Sequence, residues 1–342
     1  MSPPRPPEVL ALHPGALGDV LQAVPALAGL RALEGGRRVT VAGQPRIARL
    51  LADVGAADDA VSFDGLGLEH LFGGGPLPDR LRSRLLSFDH VVSWFGAHRD
   101  PYPERLRALV PAALIAPPVP AGPGTVWEHL AATLQPWGVV APAAFRALEL
   151  PTAWRTDAEQ TLARLGAERG RPLLAVHPGA GGAAKRWPVE KLADAIRSVE
   201  GVAGVQVLVH QGPADHAPAM ALATKLAALS PPIRAPLLIE PPLGLLAAVL
   251  RGAAAYLGAD SGVSHLAAAV GAPAVILFAP AARERWAPWN PAARAVDVTS
   301  GAADVALAAE ALTALLRPRP RGGLATPQAG WRPRLTVPPG RA

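Results

Sequence analysis

Asp260-Ser261-Gly262, with His265 one turn further on, groups a carboxylate, a hydroxyl and an imidazole around a glycine. The run follows an apolar stretch ending at Tyr256-Leu257 and precedes small residues with helical spacing, Val263 to Val270. A strand that turns into a helix start leaves backbone N–H groups without partners and sets the positive end of the helix dipole beside them. Such a junction suits a phosphorylated ligand. Two other positions have a matching character. Asp19 follows Gly15 and Gly18 at another helix start, and Lys185 lies in the Gly-rich stretch from His177 to Trp187.

Each of these residues also has a plainer role open to it. Asp19 can cap its helix, a contribution of up to about 1 kcal/mol, or act as a general base facing a cleft. Lysine occurs only at 185, 191 and 225 in a chain that otherwise uses arginine. Lys185 is therefore either an ordinary surface lysine or a phosphate contact. Asp260 would repel a diphosphate, so it suits sugar hydroxyls or loop amides. That leaves phosphate to Ser261 and the Gly262 N–H, although Ser261 can equally cap the helix. His265 either faces the same anion or packs against a backbone carbonyl. Asp215 either caps the helix after Pro213 or lines a site. Trp286 and Trp289, with Arg283 and Arg285, can stack a base, line an acceptor groove or simply fill core. His98 and Arg99, after Trp94-Phe95-Gly96, fall where a second ligand would sit.

The elements that must hold these residues form two similar halves. Val9 to Leu12 reads as a strand, followed by His13-Pro14-Gly15-Ala16 and a helix with Val20, Leu21, Val24, Leu27 and Leu30 on one face. Strands over Arg38 to Ala42 and Ala60 to Phe63, with a helix near Pro45 to Val54, complete a βαβαβ unit, and Phe88 to Phe95 adds another strand. The second half starts with a strand over Pro172 to Val176, again followed by His-Pro-Gly-Ala at 177 to 180. Helices from Pro188, Pro213, Leu243 and Val305 alternate there with strands at Val205 to Val209, Leu237 to Ile239 and Ala274 to Phe278. The repeated tetrapeptide falls both times at the C-terminal end of a first strand, the edge where open parallel sheets bind ligands. Residues 1–150 are expected to form one domain, 151–170 a connection with a short helix, and 171–316 a second domain. Leu66 to Pro78 is a Gly-rich connection, and 317–342, rich in Pro, Arg and Gly, is expected to lack fixed structure.

Composition narrows the function further. The chain has 342 residues, half of them hydrophobic, enough for two cores. It has no cysteine, which excludes disulfides and thiolate metal sites. No His pair at helical spacing and no Asp-x-Asp suggests a metal, so neither metal nor cofactor is expected. Formal net charge is +6, but basic runs interleaved with aromatics are missing, so nucleic acid is not an expected partner. The positive balance is compatible with the anionic face of a membrane. No apolar stretch has the length of a spanning helix and the start lacks a signal-peptide core, so a cytoplasmic protein is expected, able to rest on the inner face of the cell membrane. Gly-x-x-Gly in place of Gly-x-Gly-x-x-Gly, and no acid after the second strand, argue against a nicotinamide enzyme.

Three stretches together resemble glycosyltransferase family 9, the ADP-heptose:lipopolysaccharide heptosyltransferases. They are PGALGDVLQAVPAL at 14–27, HPGAGGAAKRWPVEKLA at 177–193 and LGADSGVSHLAAAVGAP at 257–273, in the family's order along nearly the whole chain. The resemblance implies α/β GT-B architecture, two Rossmann-like domains facing across a cleft, with acceptor on the first and nucleotide sugar on the second. It implies an inverting, metal-independent glycosyltransferase moving a heptose from ADP-heptose to a lipopolysaccharide core-type acceptor, a glycolipid or glycan. The alternatives are a relative with another nucleotide sugar or a protein acceptor, and a binding protein without catalysis.

Carried over by position, Asp19 matches the proposed base, Lys185 the lysine at the donor phosphate and Asp260 the acid at the donor sugar. Ser261, Gly262 and His265 match the diphosphate turn. Asp215 stands where the family often has glutamate, Ser261 where threonine is frequent, and His13 where many members carry arginine. The segment Phe88 to Gly96 has Ser93-Trp94 in place of the family's common acidic residue. Catalysis is thus expected from Asp19 and Lys185. Donor contacts are expected from His177, Gly179, Lys185, Asp215, Asp260, Ser261, Gly262 and His265, and acceptor contacts from His13, Gly15, Gly18, His98 and Arg99.

Overall fold

The computed structural model describes residues 5–34, 36–299, 301 and 303–317, so most of the tail expected to lack fixed structure lies outside the described residues. The first half runs β1 (Glu8–Leu12), α1 (Leu17–Leu21), α2 (Val24–Arg31), β2 (Arg38–Gly43), α3 (Pro45–Asp53) and β3 (Asp59–Ser62). It continues with α4 (Asp79–Leu86), β4 (His90–Ser93), α5 (Tyr102–Leu109), β5 (Leu114–Ile115), α6 (Val126–Ala132) and α7 (Thr152–Arg164). The second half runs β6 (Leu173–His177), α8 (Val189–Ala203), β7 (Gln206–Gln211), α9 (His216–Ala227), β8 (Leu237–Ile239) and α10 (Leu243–Gly252). Then come β9 (Ala255–Ala259), α11 (Gly262–Ala269), β10 (Ala274–Phe278), α12 (Pro280–Trp286), β11 (Ala293–Asp297) and α13 (Ala303–Leu316).

All pairings are parallel, in two sheets ordered β3-β2-β1-β4-β5 and β11-β10-β9-β6-β7-β8. Parallel strands need crossover helices, and these cover both faces. That is why β6, β9 and β10 are buried along their whole length and, apart from His177 at the end of β6, carry no charged or imidazole side chain. Strand order reverses between β1 and β4 in the first sheet and between β6 and β9 in the second. Loops leaving those strands diverge and open a crevice at the C-terminal edge of each sheet.

Several elements differ from the expectation. The helix after Asp19 is two helices, because Pro25 in the first turn of α2 cannot donate into a continuous ladder. Its predicted apolar face holds, since Val20, Leu21, Val24, Leu27 and Leu30 are all buried. The expected connection at 151–170 contains the 13-residue helix α7, which packs against α10. The Gly-rich connection contains two short 3-10 turns, Asp64–Leu66 and Leu68–Phe72, that bury Leu66, Leu68 and Leu71. Helices α4, α5, α6 and α12 and strands β5 and β11 go beyond the sequence expectation. Most are short and polar on their outer face, so periodicity alone does not reveal them.

The halves meet where α1 faces α11. A Cβ on Gly18 would come within 2.9 Å of His265 Cδ2 and 3.3 Å of Gly262 Cα, and one on Gly262 within 3.1 Å of Leu17 Cβ. Two helix starts, one from each sheet, thus approach through glycines. Beside them the buried Gln22 side chain hydrogen-bonds His265 Nδ1 at 3.0 Å across the junction.

Candidate functional site

The loops leaving the switch-point strands β1, β4, β6 and β9 supply the centre of the site, joined by Phe72 after β3, Asp215 after β7 and Trp286 in α12. Asp260, immediately after β9, is buried, and its backbone N–H is held by Leu277 O at 3.0 Å. Its Oδ2 accepts a hydrogen bond from Lys185 Nζ at 2.8 Å, and its Oδ1 lies 3.4 Å from His265 Nε2. Burial by itself raises the carboxyl's pKa, but hydrogen bonds from His265 and Lys185 and their charge outweigh it, so the group is held below its ordinary value. Lys185 reaches Asp260 from a short 3-10 turn, Ala183–Lys185, with its side chain half exposed and 6.0 Å from the Trp286 ring centre.

Ser261 lies in the wall of the crevice and also caps a helix. Its Oγ caps α11 by accepting the Ser264 N–H at 3.3 Å and lies 3.1 Å from Ser264 Oγ, which also bonds Ala259 O and Tyr256 OH. Asp215 does the reverse. It occupies the N-cap position of α9, yet its side chain makes no capping hydrogen bond. The carboxylate instead packs over Gly179 and Gly212, where a Cβ at either position would collide with it. His177 Nε2 lies 3.8 Å from Asp215 Oδ2, and its Nδ1 is 3.0 Å from Nδ1 of the buried His210. Two ring nitrogens at that distance share one proton, one donating and the other accepting. Burial lowers the pKa of His177, and burial with the neighbouring ring lowers that of His210 to about 3.

Across the crevice, His13 is buried, its Nδ1 accepts the Gly15 N–H at 3.3 Å, and burial lowers its pKa to about 4. Its ring lies 5.8 Å from that of Trp94, whose Nε1 donates to Thr133 Oγ1 at 2.9 Å. Phe72 stacks on Tyr102 at 4.8 Å, and Phe95 meets both edge-on at 5.7 Å. Gly96, at φ +71°, closes this turn against the Tyr102 ring, where a Cβ would sit 2.6 Å away. Asp19 is half-buried, and its Oδ2 accepts the Ala16 N–H at 3.1 Å. It thus accepts a hydrogen bond at the start of α1 while remaining in the crevice wall.

These groups line two adjoining cavities. One, of about 450 Å³, has His177, Lys185, Asp215, Asp260, Gly262 and His265 in its wall. The other, of about 670 Å³, has His13, Gly15, Phe72, Trp94, Phe95 and Arg99. Asp19 and Trp286 belong to both. Three expected contacts are placed differently. Gly18 lines the first cavity and not the second, because its missing side chain makes room for α11. Gly179 lines neither, because its space is taken by Asp215. His98 is exposed and outside both walls. Trp289 packs against Phe145, ring centres 4.6 Å apart, and is not in either wall. Sequence reasoning misses Phe72, Gln22 and His210. His210 is accessible to it through its place at the C-terminal end of β7, whereas nothing local marks Phe72 or Gln22. A further concavity beside Arg171, at the N-terminal ends of β6 and β7, is less apt for a ligand, since Arg171 is already bonded to Glu168 and Glu200. Among the described residues no cluster of three or more His, Asp or Glu is placed to hold a metal ion.

Comparison with known proteins gives this geometry a context. No curated protein matches the chain. A glycosyl transferase family 9 structure from Veillonella parvula superposes with TM-score 0.73 at 17% identity, covering 91% of this chain and 97% of that one. The E. coli ADP-heptose lipopolysaccharide heptosyltransferase II gives TM-score 0.68 at 20% identity, with coverages of 90% and 98%. E. coli heptosyltransferase WaaC with ADP gives 0.60 at 16%, with coverages of 88% and 97%. The two parallel sheets facing across a crevice are therefore a GT-B fold. Residues 77–308, more than half of the sequence, match the family model described as glycosyltransferase family 9 (heptosyltransferase), and the chain belongs to that family.

Proposed function

We propose that this glycosyltransferase moves a heptose from ADP-heptose to a lipopolysaccharide core-type acceptor with inversion at the transferred carbon. The observation that carries the proposal is the position of Asp19 in the common wall of the two cavities. The smaller cavity, with Lys185, Asp260 and His265, takes the nucleotide sugar, and the larger takes the acceptor. The choice of nucleotide draws on E. coli WaaC, which has been solved with ADP and with ADP-2-deoxy-2-fluoro heptose.

The bond from the sugar's anomeric carbon to the diphosphate breaks, and its electron pair leaves with the nucleoside diphosphate. The half-exposed Lys185 turns from Asp260 to that leaving group and offsets its growing charge in place of a metal. Asp260, freed of the lysine and still bonded to His265, accepts hydrogen bonds from sugar hydroxyls. The acceptor oxygen attacks the opposite face of an oxocarbenium-like centre while Asp19 takes its proton. A glycolipid acceptor places this reaction at the inner face of a membrane, with the protein attached peripherally on the cytoplasmic side. Among the described residues no helix is long and apolar enough to cross a membrane.

Calorimetric titration with ADP, UDP and GDP, then transfer from ADP-heptose with NMR assignment of the product's anomeric configuration, tests the proposal. ADP is expected to bind at least ten-fold more tightly than the others. Tighter UDP or GDP binding would replace the donor and leave the reaction class standing. A product that retains the donor's configuration would remove Asp19 as base.

A further inference from the structure

We infer that the larger cavity selects an acceptor ending in an uncharged sugar ring, rather than a phosphorylated sugar or a sugar acid. The inference rests on the assignment of that cavity to the acceptor.

Its wall is made of aromatic faces. Phe72, Phe95 and Trp286 are each only partly covered by protein, and Pro118 and Val119 add to the apolar rim. Leaving such rings in a concave, solvent-accessible wall costs stability unless a ligand covers them. They are also held rigidly. Phe72 and Phe95 are braced on Tyr102, whose hydroxyl is fixed by Ser93 Oγ at 2.7 Å. A preformed aromatic surface suits the C–H face of a pyranose, whose partly positive hydrogens meet the negative face of the ring.

Charge in the cavity points the same way. Its charged side chains are Asp19 and Arg99, of opposite sign. His13 adds no charge at neutral pH, since burial lowers its pKa to about 4. At the start of the five-residue α1 the Asp19 carboxylate accepts the Ala16 N–H, and its charge opposes a second anion there. A phosphate monoester carries roughly −1.5 to −2 charges at neutral pH and calls for several cations or free amides. Here it would meet one exposed arginine and a carboxylate. The His13 ring in the cavity wall is neutral and adds no charge to offset a phosphate.

Two acceptors differing only in charge decide the matter: a core oligosaccharide ending in heptose, and the same compound phosphorylated on that heptose. The donor is ADP-heptose, or whichever nucleotide sugar the protein turns over. The neutral acceptor is expected to have at least about ten-fold higher kcat/KM. Phe72→Ala and Phe95→Ala should each raise acceptor KM about ten-fold and leave nucleotide affinity unchanged, with Phe72→Tyr restoring the acceptor KM. Pro118→Lys, at an exposed rim position, should shift the preference toward the phosphorylated acceptor. Equal or better use of the phosphorylated compound by the wild-type protein, or no effect of the ring deletions, overturns the inference. If neither compound is glycosylated, the acceptor assignment itself is in question, and saturation-transfer NMR with both compounds separates the two failures. Binding of the neutral one that is lost in Phe72→Ala upholds the inference without transfer. Binding of neither, or only of the phosphorylated one, ends it.

Discussion

His-Pro-Gly-Ala occurs at 13–16 and again at 177–180, each time directly at the end of the strand beside a topological switch, yet the two copies do different things. In the first, the His13 ring folds back to accept the Gly15 N–H, and the chain enters α1 at once with Asp19 on its first turn. The carboxylate sits at the positive end of that helix, where its charge opposes a second anion. In the second, the ring meets His210 and Asp215, and the chain runs through a Gly-rich segment before α8. That longer path carries Lys185 to Asp260. The same four residues thus end in a carboxylate on one side of the crevice and a cation on the other. The residues downstream of each tetrapeptide, rather than the tetrapeptide itself, set the chemistry.

The largest expected effect breaks this pair at its ends. Asp19→Asn keeps the cap and removes the base, so kcat should fall by about 10²- to 10⁴-fold while nucleoside diphosphate affinity is unchanged. Lys185→Ala should do the opposite in binding, raising the nucleoside diphosphate Kd by roughly ten-fold or more, as expected for loss of a charge-assisted contact. Calorimetry and single-turnover kinetics on both variants check the contrast. Similar losses of affinity in the two would mean that the copies are not divided between base and leaving-group roles.

This division is legible in the sequence only where local pattern and topology agree. The strand ends and the glycines around Asp19, Lys185 and Asp260 place those residues at the ligand edge without any coordinates. The strand expected from Ala274 to Phe278 is found with those bounds because five apolar residues between turn signals leave no other choice. Side-chain commitments are not legible. Ser261 spends its oxygen on Ser264, and Asp215 declines its helix for Gly179, because of partners brought together by folding. Gln22 looks like one more residue on a helix until α11 arrives beside it. The aromatic wall escapes for a related reason: Phe72 comes from a Gly-rich segment with no period, and only Tyr102 shows where its ring must lie.

A middle-sized effect is expected at the seam that keeps the two copies in register. Gly18 has no room for a methyl group, since His265 Cδ2 and Gly262 Cα lie 2.9 and 3.3 Å from where a Cβ would stand. Gly18→Ala should push α1 from α11, disturb the Gln22–His265 bond and displace Asp19 from the donor side. A misplacement of about 1 Å costs up to roughly 10²-fold in rate. Because Lys185 and Asp260 move together with the second sheet, ADP affinity should stay within about three-fold of wild type. A variant with normal kcat would show that the glycine contact is incidental to alignment. A variant with lost ADP binding would place the damage inside the second half.

The smallest effect concerns the histidines of the two copies, and it appears in stability rather than rate. In the unfolded chain His13, His177 and His210 titrate near 6.5. In the native protein burial lowers His13 to about 4 and His210 to about 3, and lowers His177 as well. Between pH 6.5 and about 4 the unfolded chain therefore binds protons that the native one refuses, and stability falls as pH falls through that window. Asp260 adds nothing to this loss above its unfolded value of 3.8, because its native pKa is lower still and it is ionised in both states. Each pKa unit corresponds to about 1.4 kcal/mol, so a single buried histidine contributes a loss on the order of 2 kcal/mol by pH 4.5. The copies should differ in shape. His13 stands alone, and its contribution should saturate near pH 4. His177 and His210 share one proton at 3.0 Å and oppose each other's charge, so their contribution should continue to lower pH. Urea unfolding between pH 7 and 3 checks this: His13→Asn should flatten the slope between pH 6.5 and about 4 only, whereas His210→Asn should flatten it from pH 6.5 down to about 3. A wild-type stability independent of pH over that range would mean that the rings are solvated in the native protein, and the distinction between the two copies would then rest on Asp19 and Lys185 alone.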